Sequence, residues 1–213
     1  MHPAVERIGE LGIVLAVRAA AVGDNFVQAI RAVVNGGLRA VEISLNTPGA
    51  LSLIEKVRGE FGDDVLLGAG TVLNPSDALA AAGAGATFLL APSTNIEVIG
   101  LARRLGVAVL PGAFTPTEIV RAWSAGADAV KVFPASLGGP EMIRILRGPL
   151  PDVPMLPTGG VVLDNIREYL AAGALAVAVG GALLRKDLVA SGDRRGLTET
   201  ARRFVEEVRR ARS

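Results

Sequence analysis

Apolar residues in this chain gather in short continuous runs, separated by longer stretches of mixed polarity that end in glycine. The pattern recurs in NGGLRAVEISL (35–45), AGAGATFLLAP (82–92), RLGVAVLPGA (104–113), SAGADAVKVFPA (124–135) and AAGALAVAVGG (171–181). Continuous runs, unlike alternating ones, fit parallel strands covered on both faces. Glycine before each run suits a helix C-terminus, because it takes a positive φ without strain. After several runs a capping residue precedes proline: Thr47-Pro48, Asn74-Pro75 and Thr115-Pro116. Proline at the first helical position forfeits no hydrogen bond, and Asp77 and Glu118 stand where a first-turn acid belongs.

This punctuation predicts eight strands, at 13–18, 40–45, 65–71, 87–92, 107–112, 129–134, 154–158 and 175–180, each followed by a helix. A leading helix is expected at 3–11. Eight βα units in 213 residues predict a small (β/α)8 TIM barrel, one domain spanning 1–213. An open doubly wound sheet is the alternative, but no G-x-G-x-x-G opens a helix after the first strand.

Composition narrows the chemistry. Cysteine is absent, which excludes thiol catalysis and iron–sulfur or cysteine zinc sites. The one histidine, His2, lies at the N-terminus and is assigned no role, so no metal site and no cofactor are expected. A net charge of +1 and 4% aromatic residues give no footprint for nucleic acid or an anionic membrane. The N-terminus lacks an apolar signal core, and the run at 174–184 is too short to span a bilayer, so a cytoplasmic protein is expected.

Against that background two charges stand out. The chain holds 22 basic residues, but only Lys56, Lys131 and Lys186 are lysines. Lys131 sits inside AVKVF, on the strand face shared with Ala129 and Phe133. Loss of hydration there disfavours the ammonium form, and a neutral amine can attack a carbonyl to form a Schiff base. Arginine would serve an ion pair equally well but cannot form an imine. Glu42, in RAVEISL, is likewise a charge within a strand, on the face shared with Ala40 and Ser44. It can be the ion-pair partner of Lys131, a general acid–base, or both.

Paired glycines follow the last two predicted strands, in LPTGGV (156–161) and VGGALL (179–184). Their N–H groups can close on an anion, and phosphate sites in (β/α)8 enzymes often use these two loops. GAGT (68–71) ends the third strand, where Thr71 can bind a carboxylate or carbonyl or merely cap a tight end. Arg18, ending the first strand, can hold an anion or be a solvated terminus.

Together VEISLNTP (41–48), GAGTVLNPSDALAAAGAGATFLLAPSTN (68–95), LPGAFTPTE (110–118), AVKVFPASLGGP (129–140) and PTGGV (157–161) resemble the class I aldolases acting on 2-keto-3-deoxy-6-phosphogluconate and 4-hydroxy-2-oxoglutarate. The resemblance runs over nearly the whole chain. It implies Lys131 as the Schiff-base lysine and Glu42 as the catalytic glutamate. It places Thr71 at the pyruvyl carboxylate, Pro92 and Phe133 along the pocket, and Thr158, Gly159 and Gly160 near the substrate and its phosphate. The loop Gly180, Gly181 and Ala182 completes the implied phosphate site. Two positions depart from the pattern. Asn46 stands where many members carry arginine, closer to the branch acting on the galactonate-derived epimer, and Arg18 is the candidate replacement cation. Ala182 stands where many carry serine. The resemblance also implies a homotrimer, a small keto acid as substrate, and pyruvate plus an aldehyde as products. A phosphosugar isomerase and a non-enzymatic phosphosugar-binding barrel are the rival readings.

Overall fold

The computed structural model describes residues 1–19 and 25–213. Its strands are β1 (Ile13–Val17), β2 (Ala40–Ser44), β3 (Leu66–Gly70), β4 (Phe88–Leu90), β5 (Ala108–Leu110), β6 (Gly112–Ala113), β7 (Val130–Val132), β8 (Met155–Pro157) and β9 (Val177–Val179). Its α-helices are α1 (Pro3–Leu11), α2 (Asn25–Asn35), α3 (Ala50–Phe61), α4 (Pro75–Gly83), α5 (Ile96–Leu105), α6 (Pro116–Ser124), α7 (Gly139–Arg147), α8 (Ile166–Ala171), α9 (Lys186–Ser191) and α10 (Arg194–Arg212). None of the helices among the described residues is long and apolar enough to cross a membrane.

Every strand pair is parallel. One sheet has six strands in the order β5-β4-β3-β2-β1-β9, and the other has three, β6-β7-β8. Nine strands lie among the described residues where eight were expected, because the stretch 107–112 divides at Pro111. Proline has no N–H to give to a ladder, so the pairing changes hands there. Beyond it, Gly112 donates its N–H to Ser93 O at 3.2 Å, while Lys131 donates to Pro111 O at 2.9 Å. At the other margin an isolated parallel bridge joins Thr158 to Ala178.

Side chains leave the strands on two faces, as the pleat requires. Ile13, Leu15, Val41, Ile43, Leu67, Val130, Met155 and Val177 belong to the large cluster shared with the surrounding helices. On the other, inner face Val14, Ala40, Phe88, Leu90, Ala108, Ala129, Leu156 and Ala178 form a second cluster with Ala4, Val5 and Ile8 of α1. The leading helix therefore closes the inner core instead of joining the outer helical layer. Gly12 ends it in the left-handed conformation and His2 caps its start, accepting from Ala4 N at 3.1 Å through Nδ1. The lone histidine thus has a structural job.

Asn74 and Thr115 cap α4 and α6 as their sequence contexts suggest, with prolines next in line. The third expected cap fails. Helix α3 starts at Ala50 with Gly49 as its N-cap, two residues beyond Pro48. Thr47 instead turns inward, 1% exposed, and its hydroxyl accepts from Ala19 N at 3.2 Å. A partly buried backbone donor beside the end of β1 outcompetes the helix for this hydroxyl.

Glu118 completes a capping box on α6. Its carboxylate accepts from Thr115 N at 2.8 Å, Phe114 N at 2.9 Å and the Thr115 hydroxyl at 3.0 Å. The Thr115 N–H, then the Phe114 N–H, then the Thr115 hydroxyl hold its carboxyl below the ordinary value of 4.5. A depressed folded value adds stability above pH 4.5 that is lost as pH falls through the folded value. Glu118→Ala is therefore expected to lower Tm at pH 7, with the gap to wild type closing as pH drops below 4.5. Thermal melts over a pH series check this, and a gap independent of pH would assign the loss to helix propensity instead.

Candidate active site

Because all strands are parallel, their C-terminal ends share one edge, and every sequence-predicted site residue lies there or one pleat below. Arg18 directly follows β1, Asn46 follows β2, and Thr71 follows β3. Pro92 lies beyond β4, Phe133 follows β7, Thr158–Gly160 follow β8, and Gly180–Ala182 follow β9.

Glu42 and Lys131 lie deeper, on the inner face. Glu42 is 2% exposed and Lys131 4%, whereas Lys56 and Lys186 are both exposed. The two come from different sheets, and Lys131 Nζ stands 4.0 Å from Glu42 Oε1. That separation is too long for a hydrogen bond, so neither group uses up the other's polar capacity. Glu42 Oε2 is buried and has no protein partner among the described residues. A buried carboxylate oxygen without a protein donor is costly, so this one calls for a donor from outside the protein. The Phe133 ring lies under the amine, 5.4 Å from Nζ to its centroid.

The pair fits because three of the four residues in register with it are small, the fourth being Leu156 on β8 beside Lys131. In register with Glu42 are Ala16 on β1 and Gly68 on β3. Opposite Lys131 is Gly112 on β6. A Cβ added to Gly70 would overlap the Glu42 carboxylate, and one added to Gly68 would overlap the Phe88 ring. These two glycines of GAGT are therefore there for space, at φ values any residue could adopt.

Thr71 pays a conformational cost. It is the one non-glycine residue with positive φ among the described residues, at 57°. For a β-branched side chain this is an outlier worth about 1–3 kcal/mol of strain. Its hydroxyl lies 2.7 Å from that of Ser44, which is 2% exposed. Ser44 was noticed in the sequence only as a neighbour of Glu42 on the strand face. A serine closing a strand carries no signal of its own, and its partner lies 27 residues away.

The glycine loops after β8 and β9 offer backbone donors. Among the described residues, the N–H groups of Gly159, Gly160, Gly181 and Ala182 donate to no protein acceptor. Gly159 and Gly160 have φ of 88° and 81°, a conformation that leaves glycine little competition. Thr158 is 7% exposed and donates its hydroxyl to Leu156 O at 3.2 Å, which leaves its lone pairs free. Arg18 is exposed and has no carboxylate partner among the described residues. Asn46 is exposed on the loop that Thr47 ties to the end of β1. No group of histidine, cysteine or acidic residues able to hold a metal ion occurs among the described residues.

The family model for KDPG and KHG aldolase matches residues 5–200. The 2-dehydro-3-deoxy-6-phosphogalactonate aldolase of Escherichia coli (strain K12) is 38% identical over 163 residues, 76% of this chain and 80% of that protein. The 2-dehydro-3-deoxy-phosphogluconate aldolase of Treponema pallidum (strain Nichols) is 37% identical over 191 residues, 89% of each chain. A solved KDPG aldolase from Legionella pneumophila, with pyruvate captured at low pH as a covalent carbinolamine intermediate, has a TM-score of 0.86 at 26% identity, over 93% of this chain and 96% of that one. A family match over most of the chain, relatives of this identity and a shared architecture agree: the chain belongs to the KDPG and KHG aldolase family.

Proposed function

We propose that this protein is a class I aldolase that cleaves 2-keto-3-deoxy-6-phospho sugar acids, or 4-hydroxy-2-oxoglutarate, to pyruvate and an aldehyde. The observation that carries the reading is the buried Lys131–Glu42 pair, close but not hydrogen-bonded, with one carboxylate oxygen unpartnered. The Legionella relative supports it, since pyruvate is held there as a carbinolamine.

The chemistry follows from these groups. Lys131 Nζ, as the neutral amine, attacks the C2 ketone to form a carbinolamine, and loss of water gives a protonated imine. That cation is an electron sink. Glu42 takes the C4 hydroxyl proton through a water, the C3–C4 bond breaks, and its electron pair enters the imine to leave an enamine. The aldehyde departs, which is glyceraldehyde 3-phosphate from the sugar acid and glyoxylate from hydroxyoxoglutarate. Protonation at C3 and hydrolysis return pyruvate and the free amine. Thr71, Asn46 and Arg18 meet the carboxylate end, while Pro92, Phe133 and Thr158 line the pocket. The free N–H groups of Gly159, Gly160, Gly181 and Ala182, with Gly180 as the turn, receive the phosphate.

The same reading takes the two sheets as one (β/α)8 ring within a single domain. Its support is that β5 and β6 are separated by Pro111 alone, and that Thr158 bridges to Ala178 at the far margin. A cytoplasmic homotrimer belongs to the reading too, supported by the likeness of the motifs.

Borohydride reduction in the presence of pyruvate, followed by peptide mass mapping, tests the proposal. A reduced pyruvyl adduct on Lys131 is expected, and Lys131→Arg should lower turnover by about 10⁴-fold or more. Pyruvate binding without an adduct would favour an isomerase or a binding barrel. Gly70→Ala separates the two charged residues, because its Cβ displaces the Glu42 carboxylate. Pyruvate trapping on Lys131 should survive in this variant while cleavage falls by about 10²-fold or more, the range for a lost general base. Thr71→Gly should shift Tm little, since the positive-φ strain it removes is offset by the buried Ser44 hydroxyl it leaves without its partner, yet cut kcat/KM about tenfold, the loss of one hydrogen bond to a charged group. A lower Tm with unchanged kcat/KM would make Thr71 a purely structural residue.

A further inference from the structure

Ser44 lies outside every role assigned above, although it is one of five buried polar or charged side chains among the described residues. It closes β2 two residues after Glu42, in register with Gly70 on β3. Its backbone carbonyl is paired, with Ser44 O accepting from Thr47 N at 2.9 Å. Its hydroxyl has a single partner among the described residues, Thr71 Oγ1 at 2.7 Å.

The direction of that bond follows from donor and acceptor accounting. A hydroxyl buried to this degree must place its proton on an acceptor. Thr71 Oγ1 is the acceptor within reach, so Ser44 donates and Thr71 accepts. The Thr71 proton is then directed away from Ser44, toward the open edge of the sheet where the substrate carboxylate is proposed to lie. A hydroxyl that accepts one hydrogen bond also becomes a better donor for the next. The strained φ of Thr71 is then the cost of bringing its hydroxyl to Ser44.

We infer that Ser44 is a positioning residue for keto acid binding: its hydroxyl donates to Thr71 Oγ1, fixes the strained Thr71 side chain, and leaves the Thr71 O–H as a ready donor to the substrate carboxylate. The inference rests on the aldolase reading and adds to it a residue that touches no substrate. It predicts an effect on binding and little on bond cleavage. Ser44 reaches the substrate only through Thr71 in this reading, so kcat should change less than KM.

A double-mutant cycle read by borohydride trapping tests this, using pyruvate as the probe and steady-state cleavage as the companion measurement. Ser44→Ala is expected to raise the pyruvate concentration for half-maximal trapping, and the KM of the keto acid, by about tenfold, with kcat within about threefold. In a Thr71→Gly background the same change should add less than about twofold, because the two hydroxyls act as one unit. Ser44→Thr, which keeps the hydroxyl, should restore most of the affinity. Equal effects of Ser44→Ala in both backgrounds would overturn the coupling, as would unchanged trapping in the single variant. If Ser44→Ala melts well below wild type, the Ser44→Thr and Thr71→Gly arms decide: a fully active Thr71→Gly protein overturns the inference. Wild-type protein that traps no pyruvate on Lys131 would instead overturn the aldolase reading itself.

Discussion

The constraint on which the rest of this structure depends is the burial of two ionisable side chains on one inner face without a direct hydrogen bond between them. Removing a carboxylate or an amine from water costs several kcal/mol even after relaxation, and mutual attraction repays it only at good geometry. At 4.0 Å, with Glu42 Oε2 unpartnered, the geometry is not that of a pair optimised for stability. The cost is met by the fold around it. Two apolar clusters, one on each strand face, supply the stability that the site forgoes. Arginine, common elsewhere in the chain, would pair with Glu42 at longer reach, but it would stay charged and offer no nucleophile.

The residues around the pair are selected by what they leave out. Gly70 yields its Cβ volume to the Glu42 carboxylate, Gly68 to Phe88, and Gly112 to the Pro92 backbone. These absences make room for a carboxylate, an aromatic ring and a close backbone approach. Thr71 is the opposite case, a bulky residue kept where glycine would be comfortable. Strain of that kind persists where the surroundings over-determine it, and the Ser44 hydroxyl is the group that contacts the Thr71 side chain here.

Much of the architecture was legible because its signals are local. Asn74-Pro75 and Thr115-Pro116 begin helices since cap, proline and acid lie within four residues of one another. Lys131 and Glu42 stood out because a charge within an apolar run is anomalous in any fold. What escaped depended on distant partners. Thr47 has the sequence of a cap, but its hydroxyl is taken by Ala19 N, 28 residues away. Ser44 has the sequence of an ordinary strand end until Thr71 is placed beside it. The division of the fifth strand needed Pro111 to be read as a gap in a ladder, whereas its apolar neighbours disguise it as part of one run. The candidate site was legible as a set of residues. Its separations were not, because they are fixed by how strands from different parts of the chain meet.

Those meeting points bear directly on the chemistry. Glu42 lies in the six-stranded sheet and Lys131 in the three-stranded one, so no continuous ladder sets their spacing. It is set where the sheets adjoin, at Pro111–Gly112 and at Thr158–Ala178. Gly112 belongs to both arrangements: it pairs in register with Lys131 and presses on the backbone of Pro92 at the end of β4. A side chain there would push the lysine strand away from the sheet that carries the glutamate. The Lys131–Glu42 distance is therefore a property of backbone packing at the strand next to Lys131, not of a contact between the two charged groups. A reaction that needs a proton acceptor and a nucleophile a few ångströms apart is served here by such a junction, which sets the spacing without a hydrogen bond between the two groups.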